Sequence, residues 1–186
     1  MNVHIFGASG SGATTLGRFL AVQLNVPCFD SDDYFWKKTD PPFQVKNSIP
    51  ERQRLLLSDL QKTPGWILSG SLDSWSEPFL PLFNLVVFLY LPSDIRLERI
   101  RQREAKRFGD RICLGGDMHQ AHLDFLAWAG QYDQGALVGR NRQRHEEWMA
   151  SLTCPVLRIE NVIGIEDATR KVLSSISTLR ASHSEP

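Results

Sequence analysis

Cysteine is scarce. The chain has three in 186 residues, Cys28, Cys113 and Cys154, an odd number at wide spacing. That argues against a disulfide scaffold and a patterned zinc site, and predicts reduced thiols in a cytoplasmic chain. An excess of either charge is missing as well, with 21 basic residues against 21 acidic ones. A balanced chain offers no broad attraction for nucleic acid or a membrane surface, both of which reward surplus Lys and Arg. No apolar run approaches the roughly 18 residues of a spanning helix. The opening Met1 to Gly7 lacks the charged and apolar regions of a secretory leader. Repeats and low-complexity blocks are absent. What is there, 42% hydrophobic and 23% charged residues, is the composition of one globular domain over 1–186.

Strands and helices alternate along the chain. The apolar run Val3 to Phe6 ends at Gly7, and the stretch from Ala13 to Leu24 carries Leu16, Phe19, Leu20 and Leu24 at helical spacing. Residues 26–29 and 66–70 read as short strands. The run 84–91 is apolar without alternation, as in a central strand covered on both faces. A last strand is expected over 154–160. Helices are predicted over about 50–62, with Pro50 in the first turn, and over 93–108, capped by Ser93 or Asp94. Further helices are expected over 119–130, 138–151 and 165–179. Segment 37–47 reads as irregular, 109–117 as a mobile glycine-bearing loop and 180–186 as a frayed tail. This alternation argues an α/β fold, a doubly wound parallel sheet whose ligands bind at the carboxyl ends of its strands.

Two clusters fall at such ends. Gly7, Ala8, Ser9, Gly10, Ser11, Gly12, Ala13 and Thr14 match the phosphate-loop pattern G-x-x-x-x-G-K-[ST] at every fixed position except the lysine. Glycines let the backbone curl round phosphate oxygens at a helix N-terminus, and Thr14 holds the position that ligates magnesium. A tight strand-to-helix turn without a ligand is the competing reading. Ala13 removes the cation that normally neutralises terminal phosphates, worth about 1.5–3 kcal/mol as a charge-assisted hydrogen bond. Either another cation substitutes, or nucleotide binds poorly, or the chain is no kinase. The second cluster is Asp30-Ser31-Asp32-Asp33, beyond the second strand. In an extended segment, residues two apart share a side, so Asp30 and Asp32 can divide a task. They can equally form a polar loop in which one Asp caps the next helix, with Asp33 the expected capping or solvated residue.

With these residues the chain resembles the P-loop small-molecule kinases of the adenylate kinase and shikimate kinase superfamily, over nearly its whole length. Thr14 to Arg18 is similar to the shikimate kinase loop and first helix, and Phe29 to Asp32 resembles the Asp-x-Asp motif of that family. The stretch from Arg96 to Arg103 resembles the approach to the ATP lid. A loop without its lysine is similar to that of bacterial proteins named adenylate kinase. The resemblance implies a five-stranded parallel sheet with helices on both faces, an acceptor-binding insertion over about 34–63 and a helical lid over about 109–137. It further implies an ATP- and Mg2+-dependent kinase, acting on a nucleotide, nucleoside or small hydroxylated metabolite, as a monomer or homodimer. The loop from Gly7 through Thr14 to Thr15 would bind ATP, Thr14 and Asp30 would organise Mg2+, and Asp32 would orient the acceptor. Two departures count against AMP as acceptor. Ser69 replaces the Asp that ends the third strand of adenylate kinases, and Leu72 to Trp75 supply no arginine for the acceptor phosphate. The alternative is a nucleotide-binding regulator that transfers nothing.

On a helix over 93–108, Arg96, Arg99, Arg103 and Arg107 fall within an arc of about 80° at 100° per residue. This stripe either meets the polyphosphate as the lid closes or is a solvated basic face. One of these four, or Arg111, is the expected substitute for the missing lysine, with Arg103, Arg107 or Arg111 expected to neutralise the migrating charge. His119 and His122 have metal-like spacing but no obvious third ligand. Phe125, Trp128 and Tyr132 read as a packing face, and Trp36 and Trp75 as candidates to stack on a flat acceptor.

Overall fold

The computed structural model describes residues 1–134, 139–160 and 164–182. Five strands, β1 (Asn2–Gly7), β2 (Cys28–Asp30), β3 (Trp66–Ser69), β4 (Leu85–Tyr90) and β5 (Val156–Glu160), form one parallel sheet in the order β2-β3-β1-β4-β5. Its helices are α1 (Ala13–Leu24), α2 (Ser31–Phe35), α3 (Ile49–Leu60), α4 (Ser93–Phe108), α5 (His119–Gly130), α6 (Arg142–Ala150) and α7 (Ile165–Ser182).

Both sheet faces are covered, which explains why β4 reads apolar at consecutive positions. Successive residues of β1 point to opposite faces. Val3 and Ile5 pack with Leu16 and Leu20 of α1 and Val172 and Ile176 of α7. Phe6 packs on the other face with Leu56 of α3, Phe88 and Met149 of α6. His4 shares that second face. It is fully buried, its ring stacks on Phe6 and Phe83 at 5.4 and 5.1 Å, and its Nδ1 lies 3.1 Å from the Leu68 carbonyl. His145 of α6 reaches the same layer edge-on to Phe6 at 4.8 Å, with Nδ1 2.8 Å from the Tyr132 hydroxyl.

Some boundaries differ from expectation. The N-cap of α4 is Pro92 and no side chain caps it; Ser93 Oγ donates to the Gly130 carbonyl at 3.5 Å instead. The segment 109–117 is built of hydrogen-bonded turns, Cys113 N to Asp110 O at 3.1 Å and Gly116 N to Cys113 O at 2.9 Å. Helix α7 continues through Ser182, because Ile176 still packs on the core and Leu179 flanks it; the rest of the expected frayed tail lies outside the described residues. The stretch 109–137, expected to form a lid, holds the 3-10 turn Gly109–Ile112, α5 and the 3-10 turn Tyr132–Gln134, with 135–137 outside the described residues.

Candidate active site

The phosphate loop leaves β1 between β3 and β4, at the carboxyl edge where strand order reverses. Gly10 and Gly12 have φ of +82° and +98°, a region side chains rarely adopt. Gly12 is the N-cap of α1, so the amides of Ala13, Thr14 and Thr15 lack intrahelical acceptors and face the loop's mouth, where the helix dipole favours an anion. Ser11 is buried beneath the loop.

Thr14 and Asp30 meet across this edge: Thr14 Oγ1 donates to Asp30 Oδ2 at 2.9 Å. The other oxygen, Oδ1, accepts from Asp32 N at 3.1 Å, so Asp30 is the N-cap of α2. Capping and clustering thus coexist in one carboxylate, and Asp33, expected to cap or be solvated, is an exposed residue of the first turn. A hydroxyl beside a carboxylate is an oxygen-only donor pair. That suits Mg2+, which binds one or two carboxylates with substrate phosphates and keeps several waters. Asp32 is exposed within the cleft. Crowding by protein raises its pKa first and the charge of Asp30 raises it further, while Arg140 and Arg103 pull it back.

The arginines separate into three groups. Arg96 does not belong to a solvent-facing stripe, because it is fully buried. Its Nε donates to Leu91 O at 2.9 Å, its Nη1 to Ala129 O at 3.1 Å and Ser9 O at 3.4 Å, and its Nη2 pairs with Asp133 Oδ2 at 2.8 Å. It therefore pins the phosphate loop to the end of α5, and leaving Asp133 without it would strand a partly buried charge. Arg107 and Arg111 face Phe43 and Asp40 instead of the loop. The Arg107 guanidinium lies 4.9 Å from the Phe43 ring centroid, and Arg111 Nη2 pairs with Asp40 at 2.8 Å and Asp117 at 2.6 Å. These two carboxylates hold the Arg111 pKa well above its usual value. Arg103 sits between, 6.0 Å from the Phe125 ring and near enough to Asp32 to lower its pKa.

Two cations approach the loop itself. A side chain at Gly12 would project to 3.7 Å from Arg99 Nη1, so this exposed guanidinium overhangs the N-terminus of α1 beside Ala13. Arg140, half-buried just before α6, lies 3.3 Å from Ser9 Oγ through Nη2 and 5.0 Å from the Trp128 ring. Burial lowers its pKa, and Asp32 and then Asp73 oppose the shift. Arg99 was visible as a stripe member, whereas nothing local marks Arg140.

Other candidates resolve structurally. Trp75 is 1% exposed in the core, out of reach of an acceptor. Trp36 is half-buried against Phe35 and Phe43. Ser69 is buried and bonds the Phe29 carbonyl at 3.2 Å, tying β2 to β3. His119 and His122 are taken by the Ile112 carbonyl and Glu104, and among the described residues no three metal-ligating side chains cluster. Phe125 and Trp128 stack at 5.9 Å, while Tyr132 turns inward.

The sheet order, the loop and the carboxylate pair at its mouth define the fold of the P-loop small-molecule kinases, and solved structures agree. Shikimate kinase from Acinetobacter baumannii, in complex with shikimate, matches with a TM-score of 0.54 at 23% identity, covering 95% of this chain and 93% of that one. A gluconokinase from Sinorhizobium meliloti matches at 0.55 and 13% identity, covering 99% and 97%. In sequence, the shikimate kinase of Acinetobacter baylyi is 30% identical over 108 residues, 53% of this chain and 60% of that enzyme. No protein-family model matches. The uncharacterized protein YqaC of Bacillus subtilis (strain 168) is 43% identical over 177 residues, 95% of this chain and 98% of the relative. The chain belongs to the family of YqaC.

Proposed function

We propose that the protein transfers the γ-phosphoryl group of ATP to a hydroxyl of a small molecule. The observation that carries this reading is the joining of loop and acceptor carboxylates: Asp30 holds Thr14 with one oxygen and the Asp32 amide with the other. The amides of the loop from Gly7 to Thr15 bind the phosphates, and Thr14 and Asp30 would hold the Mg2+ that accompanies ATP. Bound there, Mg2+ would neutralise charge on the phosphates. Asp32, its pKa raised, accepts the proton of the acceptor hydroxyl. Arg140, between Ser9 and Asp32, faces the phosphoryl group in transit, and Arg103 reinforces it. Such transfer is mostly positioning and electrostatics, so a cation need not come from the loop.

Arg99 replaces the lost lysine in this reading, because its guanidinium overhangs Gly12 beside Ala13. Arg99→Ala should weaken ATP·Mg2+ binding about ten- to hundredfold, the worth of a charge-assisted hydrogen bond. Arg111→Ala, which cuts an exposed pair with Asp40 and Asp117, should change it by no more than a few-fold. Calorimetric titration of both variants checks this; equal losses, or none in Arg99→Ala, would remove Arg99 from the role. Ala13 by itself favours a second reading, a nucleotide-binding regulator without transfer, which turnover with any acceptor rejects.

A further inference from the structure

The two arginines whose charge reaches Asp32 both lie over rings of α5. The Arg140 guanidinium stands 5.0 Å from the Trp128 ring centroid, and that of Arg103 stands 6.0 Å from the Phe125 centroid. Phe125 and Trp128, three residues apart on one helix face, stack on each other at 5.9 Å and 20°. Cation–π attraction reaches to about 6 Å and is best over an indole, so the Arg140–Trp128 contact is the stronger of the two. Among the described residues no carboxylate pairs with Arg140. Asp73 is taken by Arg144 at 2.9 Å, and Asp32 and Asp73 act on the Arg140 charge from further off. A guanidinium on a long stem samples many rotamers, so what holds it decides whether a bound phosphate meets it.

The ring is itself tied to the phosphate loop. Arg96, fully buried, donates Nη1 to the carbonyl of Ser9 at 3.4 Å and to that of Ala129, the residue after Trp128, at 3.1 Å. Arg140 donates Nη2 to the Ser9 hydroxyl at 3.3 Å. Ser9 is therefore joined to the last turn of α5 twice, by its carbonyl through Arg96 and by its hydroxyl through Arg140 and the indole. The second link places a cation inside the phosphate loop, and its far end is the face of Trp128.

We propose that Trp128 is a positioning residue, whose indole holds the Arg140 guanidinium at Ser9 so that a phosphate bound in the loop meets a fixed cation where Ala13 supplies none. The proposal rests on the reading of the loop as an ATP site, and its test has one readout with ATP and one without. ATP with Mg2+ is titrated calorimetrically into the wild-type chain, Trp128→Leu, Trp128→Phe, Arg140→Ala and the double variant of Trp128→Leu with Arg140→Ala. Trp128→Leu should weaken binding about three- to thirtyfold, the range of a partly desolvated cation–π contact. Trp128→Phe keeps an aromatic face and should recover most of that loss. In the double variant, Trp128→Leu should add less than about twofold to the loss from Arg140→Ala, since no guanidinium is left to position. Losses that multiply in the double variant would overturn the proposal by showing that Trp128 only supports the fold. So would a Trp128→Leu protein that binds ATP as the wild type does. In the NMR spectrum of the nucleotide-free chain, the Arg140 Nε–H resonance, assigned by its absence in Arg140→Ala, should carry the ring-current shift of the indole and move in Trp128→Leu. A resonance that stays in place overturns the proposal whether or not ATP binds. Absence of ATP binding by the wild type would overturn the kinase reading and the positioning role with it, and a resonance that still moves would mark that failure as one of the site and not of the contact. If Trp128→Leu does not fold, Trp128→Met serves with the same criteria.

Discussion

Asp32→Asn should lower kcat by about two to four orders of magnitude, the usual contribution of a positioned general base, and leave ATP affinity nearly unchanged. The side chain is exposed, and the capping bond of α2 runs from its backbone amide to Asp30, so asparagine keeps the helix and removes only the acceptor for the proton. Single-turnover transfer, paired with a melting curve, separates chemistry from folding. A variant that keeps more than a tenth of the rate would show that Asp32 is a bystander and that Asp30 alone serves the cleft.

Acid should destabilise the protein through two histidines that take no part in the chemistry. Burial lowers the pKa of His4 from 6.5 to about 4 and that of His145 to about 3, with nearby Arg140 a smaller cause for His145. Above pH 6.5 both rings are neutral, folded or unfolded, and their contribution is fully present. As the pH falls below 6.5 the unfolded chain takes up protons that the native chain refuses, so stability is lost progressively down to about pH 3–4. At 1.36 kcal/mol per unit and ring, the pair should cost about 4 kcal/mol between pH 7 and pH 5, a large share of a typical 5–15 kcal/mol. Urea unfolding at the two pH values measures it. Equal midpoints would mean that both rings ionise inside the fold.

What the sequence shows and what it hides follow from how local each feature is. The strand, loop and helix of residues 2–24, and the bounds of α4 at Ser93 and Phe108, are legible because periodicity and glycines are local signals. So is the meeting of Thr14 with Asp30, since the loop leading to Thr14 leaves the carboxyl end of β1 and Asp30 ends β2 in the same parallel sheet. Helical spacing places Arg96 and Arg103 on one stripe. It does not reveal that the first turn of α4 presses on the phosphate loop, where Gly10 admits the Arg96 backbone. Arg140 comes to Ser9 from 131 residues away, a pairing that no local pattern encodes. Trp75 reads as one candidate to stack on a flat acceptor but turns into the core against Phe79, at 5.6 Å and nearly perpendicular.

A phosphate loop without its lysine should still bind ATP, because arginines from outside the loop supply the charge. Calorimetric titration of ATP into the wild-type protein, with and without Mg2+ at modest salt, tests it most directly. A micromolar, Mg2+-dependent dissociation constant, equivalent to about −8 kcal/mol, is the result expected with Arg99 and Arg140 in place. No heat up to millimolar ATP, with an unshifted melting temperature, would contradict it.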